Sequence, residues 1–357
     1  MNVTVLGVGL IGGSIGLAAR RRADAHVCGY DPDREVLDRA LARGAIDSAA
    51  DDVAGAVRDA DVVFVAAPVG ALAATVGAAL AGARADCVVS DVGSTKRFVA
   101  EVAADERFIG GHPLAGAETC GVEHAREDLF EDAVWYLTPA ATSTGVLYER
   151  LHRLLTAIGA RPVAIDAETH DRLLAVVSHL PHAIANVLVA QAAGALGDAS
   201  QRRVPAVGPS FRDATRVAGA NSAIWTDIYL ANSDALIAAI DCFNERLGEM
   251  RASLVAGDAK ALTAWNDAAR ADRDELLGTG MTGGPVSELR ASVPNTPGVI
   301  AEIALALGRA GVNIRDLALS PSEDKRQGVV ALWIGGEQDA ARAERLIGEL
   351  GFPVARA

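Results

Sequence analysis

A chain of 357 residues, half of them hydrophobic but only 4% aromatic, must fill two or three cores with aliphatic side chains and alanine, which favours helices packed on sheets or on one another. Its 33 basic residues stand against 46 acidic ones, a net charge of -13 that opposes binding to nucleic acid or to an anionic membrane. Any anionic ligand must therefore be held by a few local cations.

No apolar run reaches the roughly 18 residues of a membrane span, and the N-terminus enters a strand directly, without the pattern of a signal peptide. A cytoplasmic protein with no membrane or nucleic-acid partner is expected. Cys28, Cys87, Cys120 and Cys242 lack CxxC spacing and read as structural residues, so no metal site is expected from them.

Residues 2–6 form a short apolar strand that runs into Gly7-Val8-Gly9-Leu10-Ile11-Gly12 and then a helical stretch over 15–22. This is GxGxxG in its required strand, turn and helix setting. Gly7 permits the tight turn, Gly9 lets a pyrophosphate approach the backbone, and Gly12 lets helix and strand pack closely. The helix start at Leu10 and Ile11 then offers free N–H groups to phosphate. A second strand, 26–30, ends at Asp31, 19 residues after Gly12, where a carboxylate accepts bonds from the adenosine ribose and repels a 2'-phosphate. NAD is expected over NADP, with Arg34 close enough to leave NADP as the alternative.

The alternation continues with a strand over 61–67 ending at Pro68, a helix over 70–80 and a strand over 87–91, as a parallel sheet requires. Pro68 joins the expected dinucleotide contacts, at the carboxyl end of its strand. Ser94 and Lys96, in Val92-Gly93-Ser94-Thr95-Lys96, follow another such end and face nicotinamide and substrate, or else form a helix cap with a solvated lysine. Further strands are expected over 107–110, 133–138 and 161–165. Between them, Gly110-Gly111-His112-Pro113 places one imidazole in a Gly/Pro turn. Histidine is the side chain best able to accept a proton near neutral pH, so His112 is the candidate base of a redox enzyme.

From about residue 166 the pattern is helical, with no strand signal until about 287. Within 173–188 the run Ser178-His179-Leu180-Pro181-His182 interrupts the apolar spacing, and Pro181 should kink or restart the helix. His179 and His182, three apart, share a face. No carboxylate set at ligand spacing supports a metal there; at least one of them reads as a hydrogen-bond partner of substrate, the alternative being two satisfied buried histidines. Arg212 and Arg216, one turn apart, form a positive clamp for carboxylate, the alternative being surface ion pairs with Asp213 or Asp227. Helices over 225–254 and 258–277 have apolar faces to bury, and a second copy of the chain is the expected partner.

A linker over 278–285 ends the helical region. Beyond it the pattern reads strand 286–293, helix 299–310, strand 312–319, strand 328–334, helix 339–350 and strand 352–355, a ferredoxin-like βαββαβ unit. The expected domains are 1–165, a Rossmann-like doubly wound α/β domain; 166–280, an all-α substrate-binding and dimerisation domain; and 286–357, the ferredoxin-like module.

The motifs GVGLIGGS, DVGSTK, GGHPLAGAE, SHLPH and FRDATR, in this order along the whole chain, resemble the prephenate dehydrogenase family of tyrosine biosynthesis, arogenate-using relatives included. The resemblance implies that His112 bonds the C4 hydroxyl of the substrate with Ser94 as its orienting partner. It makes Arg216 the principal carboxylate-binding residue, with Arg212 and His182 helping and His179 close by. The implied reaction transfers hydride from C4 to NAD as the ring carboxylate leaves as carbon dioxide, giving 4-hydroxyphenylpyruvate. Arogenate as substrate, or a catalytically silent sensor of NAD and an amino acid, are the alternatives. The stretch NTPGVIAEIALALGRAGVNI resembles ACT amino-acid-sensing domains, which implies an effector, tyrosine, near Asn295, Pro297, Gly298, Val299, Asn313 and Ile314. The alternative is a module used only for dimer contacts.

Overall fold

The computed structural model describes residues 1–116, 119–195, 208–278, 286–321 and 327–356. The chain divides into two compact units, Met1–His170 with Gly283–Ala357, and Asp171–Thr282.

In the first unit β1 (Asn2–Leu6), β2 (His26–Tyr30), β3 (Ser48–Ala49), β4 (Val62–Val65) and β5 (Val88–Asp91) form a parallel sheet in the order β3-β2-β1-β4-β5. All four residues of β4 are buried, as expected of a strand covered by helices on both faces. Helices Leu10–Ala23, Arg34–Ala42, Val53–Val57 and Val69–Gly82 supply the crossovers, and a short helix, Arg97–Val102, follows β5.

β6 (Gly110–Pro113), β7 (Val134–Thr138) and β8 (Arg161–Ala164) make a second sheet, β6 antiparallel to β7 and β7 parallel to β8. A parallel bridge between Val89 and Phe108 brings the chain entering β6 alongside β5. The strand expected over 107–110 thus lies a few residues later, and His112 sits within a strand, not in a turn, opposite Tyr136. The glycines explain the shift. A Cβ on Gly111 would come within 2.6 Å of the Asp91 carbonyl oxygen, so only bare backbone can lie this close to β5.

The C-terminal module has β9 (Val286–Pro294), helix Val299–Arg309, β10 (Ile314–Pro321), β11 (Gln327–Gly335), helix Glu337–Glu349 and β12 (Val354–Arg356), with the antiparallel order β10-β11-β9-β12. It is seated on the rest of its unit. The Gly298 N–H donates to the Ser143 carbonyl at 3.0 Å, and Arg309 pairs with Asp166 at 3.1 Å. Gly308 approaches Ala164 at the end of β8 so closely that a Cβ would sit 1.8 Å from its carbonyl oxygen.

Helix Gly145–Ala157, between β7 and β8, packs against β10 and carries His152, which is fully buried. Burial lowers its pKa from 6.5 to about 4, against the opposing charge of Asp316 on β10. The unfolded chain therefore binds a proton that the folded chain refuses between these two values. Stability is complete above about 6.5 and falls as pH drops toward 4, by on the order of 3 kcal/mol. His152→Leu should flatten this dependence, so thermal melts at pH 7.5 and pH 5 should differ less than in the parent chain; an unchanged difference would assign the acid sensitivity elsewhere.

The helix Ala167–Leu174, which enters the second unit at Asp171, runs through a π-helical segment, Ala175–His179, into Leu180–Ala195. The kink or restart expected at Pro181 is replaced by this widened turn. Proline cannot donate and its ring crowds the carbonyl four residues back, and a local π bulge accommodates both without ending the helix. Helix Pro209–Thr215, a 3-10 turn Arg216–Gly219 and helices Ser222–Ala231, Ser233–Ala256 and Ala259–Gly278 complete the described part. The expected helix over 225–254 is broken at Asn232.

By length and composition the stretch Ala167–Ala195 could cross a membrane, contrary to the expectation that no such run exists. It carries His170, Asp171, Arg172, His179 and His182, and its Ala175 and Leu180 pack with Leu236 and Ala239 of a neighbouring helix. Val187, Leu230, Ile237, Leu254, Val255 and Trp265 are exposed on this unit, more apolar surface than a helical unit of a lone chain usually presents.

Candidate active site

The glycine loop has the geometry its sequence demands. Gly7 has φ +93°, and a Cβ there would lie 2.6 Å from the Ala66 carbonyl oxygen; on Gly12 it would lie 2.0 Å from that of Gly7. A Cβ on Gly9, by contrast, would meet nothing within 4 Å, so the loop opens to a ligand there. Helix Leu10–Ala23 has no side-chain cap, which leaves the N–H groups of its first turn for an anion. The Asp31 carboxylate accepts from the Val8 and Asp33 N–H groups at 3.0 Å each, which fixes it beside the loop with lone pairs left for ribose hydroxyls. Pro68 caps the helix after β4 and is exposed. Arg34 is engaged with Asp51 and Asp38 on the surface. These residues fit a dinucleotide.

At the end of β5 the sequence expectation for Lys96 needs correction. Its side chain is 1% exposed and its ammonium donates to Asp91 and, at 2.7 Å, to the Gly111 carbonyl. Asp91, fully buried, accepts also from the Gly93 and Gly111 N–H groups at 2.9 and 3.1 Å. The pair fastens β6 to β5. Ser94, half-buried in the bend between Asp91 and Lys96, stays at the carboxyl end of the strand.

His112 is 8% exposed, and its Nδ1 lies 2.9 Å from Nε2 of His170, a residue with no accessible surface. The two rings are edge to face with centroids 5.1 Å apart, and the Tyr136 ring flanks His170 at 5.5 Å. His170 was not found from sequence. It lies 58 residues from His112, in a polar stretch, Asp166 to Arg172, that looks like a solvated helix face.

The second unit holds the other candidates. His182 lies flat on the Trp225 ring, centroids 3.5 Å apart, and its Nδ1 meets the Tyr229 hydroxyl and, at 3.3 Å, the Asn186 amide. An amide N–H directed at Nδ1 makes that nitrogen the acceptor, so Nε2 carries the hydrogen, in a buried position. Burial lowers the His182 pKa, which keeps the ring neutral. His179 also meets Trp225, edge-on, and its Nδ1 lies 3.2 Å from the Asn232 amide. Asn232, which also donates to the Asp171 carbonyl at 2.7 Å, is buried where the predicted long helix breaks. Trp225, Tyr229, Asn186 and Asn232 were missed as partners, because their positions 4 to 53 residues away from the histidines carry no local signal. Arg212, in helix Pro209–Thr215, and Arg216, opening the following turn, are both exposed, and helix Leu180–Ala195 packs against that turn.

Of the expected effector residues, Asn295, Pro297 and Val299 line a cavity of about 160 Å³ whose opposite wall is Thr144 to Val146 of the nucleotide-binding region. Gly298 is engaged with Ser143, Ile314 is core, and neither they nor Asn313 line the cavity.

Known proteins place this arrangement. Family profiles match residues 15–164 as "Prephenate dehydrogenase, nucleotide-binding domain", 166–267 as "Prephenate dehydrogenase, dimerization domain" and 287–351 as "ACT domain". Prephenate dehydrogenase of Bacillus subtilis is 32% identical over 97% of this chain and 95% of its own length. Cyclohexadienyl dehydrogenase of Zymomonas mobilis is 34% identical over 73% of this chain and 91% of its own. Among solved structures, prephenate dehydrogenase from Aquifex aeolicus in complex with hydroxyphenyl propionate and NAD+ aligns with a TM-score of 0.71 at 29% identity, covering 77% of this chain and 98% of that one. Synechocystis arogenate dehydrogenase aligns at 0.69 and 26%, covering 77% and 100%. With glycine loop, buried histidine and ACT module all present, the chain belongs to the prephenate dehydrogenase family and is an NAD-dependent oxidoreductase.

Proposed function

We propose that the chain catalyses the oxidative decarboxylation of prephenate to 4-hydroxyphenylpyruvate in tyrosine biosynthesis, in the cytoplasm and as a homodimer joined through the exposed apolar helices of its second unit. The observation that carries this reading is His112, a buried imidazole on β6 that the Lys96–Asp91 pair fixes at the carboxyl end of a dinucleotide-binding sheet. His112 takes the proton of the C4 hydroxyl, with Ser94 orienting that hydroxyl. Bound NAD supplies the hydride acceptor. Loss of the ring carboxylate as carbon dioxide then makes the ring aromatic, so the protein has to supply orientation and a base and little else.

Substrate charge is met by the second unit. Arg216 and Arg212 hold carboxylate, and the Nε2–H of His182 supplies a neutral donor. His179, held by Asn232, supports the same cluster. Arg216→Ala should raise KM for the substrate by roughly 10- to 100-fold, the loss of a charge-assisted pair worth about 1.5–3 kcal/mol, with NAD affinity unchanged; a normal KM would put the carboxylate elsewhere.

The name of the Synechocystis relative, arogenate dehydrogenase, supports arogenate as a second reading. The two substrates differ by a keto group against an ammonium, and the residues named above bind what they share. Following NADH absorbance with prephenate and with arogenate, each with and without tyrosine, tests the whole reading. Turnover of neither would leave a sensor without catalysis. Tyrosine is the proposed effector of the ACT module, in the cavity that Asn295, Pro297 and Val299 line.

A further inference from the structure

We infer that His170 is the positioning residue of the reaction: it accepts a hydrogen bond from Nδ1 of His112 and so fixes the tautomer that lets His112 act as a base. The inference rests on the reading of His112 given above.

Two imidazoles that meet nitrogen to nitrogen at 2.9 Å share one proton between them. If it belongs to His170, Nδ1 of His112 is the acceptor, and a neutral His112 must carry its own hydrogen on Nε2. Both nitrogens are then occupied, and His112 cannot take a proton from a hydroxyl. If it belongs to His112, the lone pair is on Nε2 and the ring is a base. When Nε2 then takes the substrate proton, the ring becomes an imidazolium, and its Nδ1–H bond to His170 becomes charge-assisted and stronger. Only the second arrangement gains from proton uptake. His170 therefore does for His112 what a carboxylate does for the histidine of a hydrolase triad, though it adds no charge of its own.

The surroundings hold His170 to that task. It has no accessible surface, and the Tyr136 ring stands edge-on to it at 84°. Its backbone N–H donates to the Asp166 carbonyl in the first turn of its helix, and the Asp166 carboxylate accepts from the Thr169 N–H at 2.8 Å. The nearby Lys96–Asp91 pair is bonded to the backbone of Gly111, the residue before His112. A neutral partner also suits a base that must release its proton after each turnover, because a buried carboxylate would retain the imidazolium.

The test compares His170→Ala and His170→Gln in the full chain. The Gln side-chain oxygen can accept from Nδ1–H, whereas Ala leaves the tautomer unspecified. Expected are a kcat lower by roughly 100-fold for Ala and by less than about 10-fold for Gln, with KM for substrate and NAD unchanged in both, the lower part of the general-base range. In the parent chain, 15N spectra of the imidazoles should show His112 protonated on Nδ1 and bare on Nε2, a readout that needs no substrate and survives a failure of the Ala variant to fold. A parent His112 protonated on Nε2, an Ala variant with full kcat, or equal losses for Ala and Gln would each overturn the inference. If His112→Asn turns over normally, the reading of His112 itself has failed; if it is inactive while His170→Ala is not, only the role of His170 has.

Discussion

His112→Asn is expected to lower kcat by about 10²–10⁴, the usual contribution of a positioned general base, while NAD binding stays as it was. Asparagine keeps a polar group on β6 and can still donate to His170, so the pairing of β6 with β7 survives. What it lacks is a nitrogen able to take up a proton. The C4 hydroxyl would then have to lose its proton to water, in a place where the native base is only 8% exposed. Steady-state rates with the better of the two substrates, together with NAD titration by fluorescence, check both halves of the expectation. An unaltered kcat would remove His112 from the chemistry.

The second large effect falls on stability. Lys96→Met should destabilise the first unit by about 3–5 kcal/mol, because it leaves the Asp91 carboxylate charged and buried without its cation. For a unit of this size that corresponds to a melting point lower by on the order of 10 °C. The carboxylate would keep its two backbone donors, from Gly93 and Gly111, but these do not replace a full charge. Adding Asp91→Asn to Lys96→Met should recover much of the loss, since removing both charges avoids the uncompensated one. Thermal melts of the single and double variants measure this directly; a single variant as stable as the parent would mean that water or relaxation reaches Asp91. Activity should fall with Lys96→Met as well, since Gly111, which the lysine holds, is the residue before His112.

The parallel sheet, the helical region and the βαββαβ module were legible because each has its own period: continuous valine runs in β4, helical spacing through the middle, and turns at Gly298 and Gly311 in the module. The glycine loop and His112 were legible because they are local words, with every letter within a few residues. His170 and Asn232 were not. Their meaning comes from partners 58 and 53 residues away, and nothing in a stretch such as Glu168-Thr169-His170-Asp171 announces which side chain turns inward. Lys96 failed for the opposite reason. One of only three lysines among thirty arginines, it looks like an active-site cation, and only the absence of side chains on Gly110 and Gly111, letting β6 press onto β5, shows that its charge is consumed by the fold. Pro181 misled in the same way, because a π turn is a tertiary solution to a local defect.

The seating of the C-terminal module has a kinetic corollary. Arg309, at the end of the module's first helix, grips Asp166, the residue that caps the helix bearing His170. One turn of helix separates that grip from the imidazole that steadies His112. On the roles proposed above for His112 and His170, a small displacement of the module would shift the proton acceptor without closing any channel or displacing any ligand. Inhibition arriving by this route would slow turnover at saturating substrate and leave the half-saturation point alone, the signature of a throttle and not of a plug.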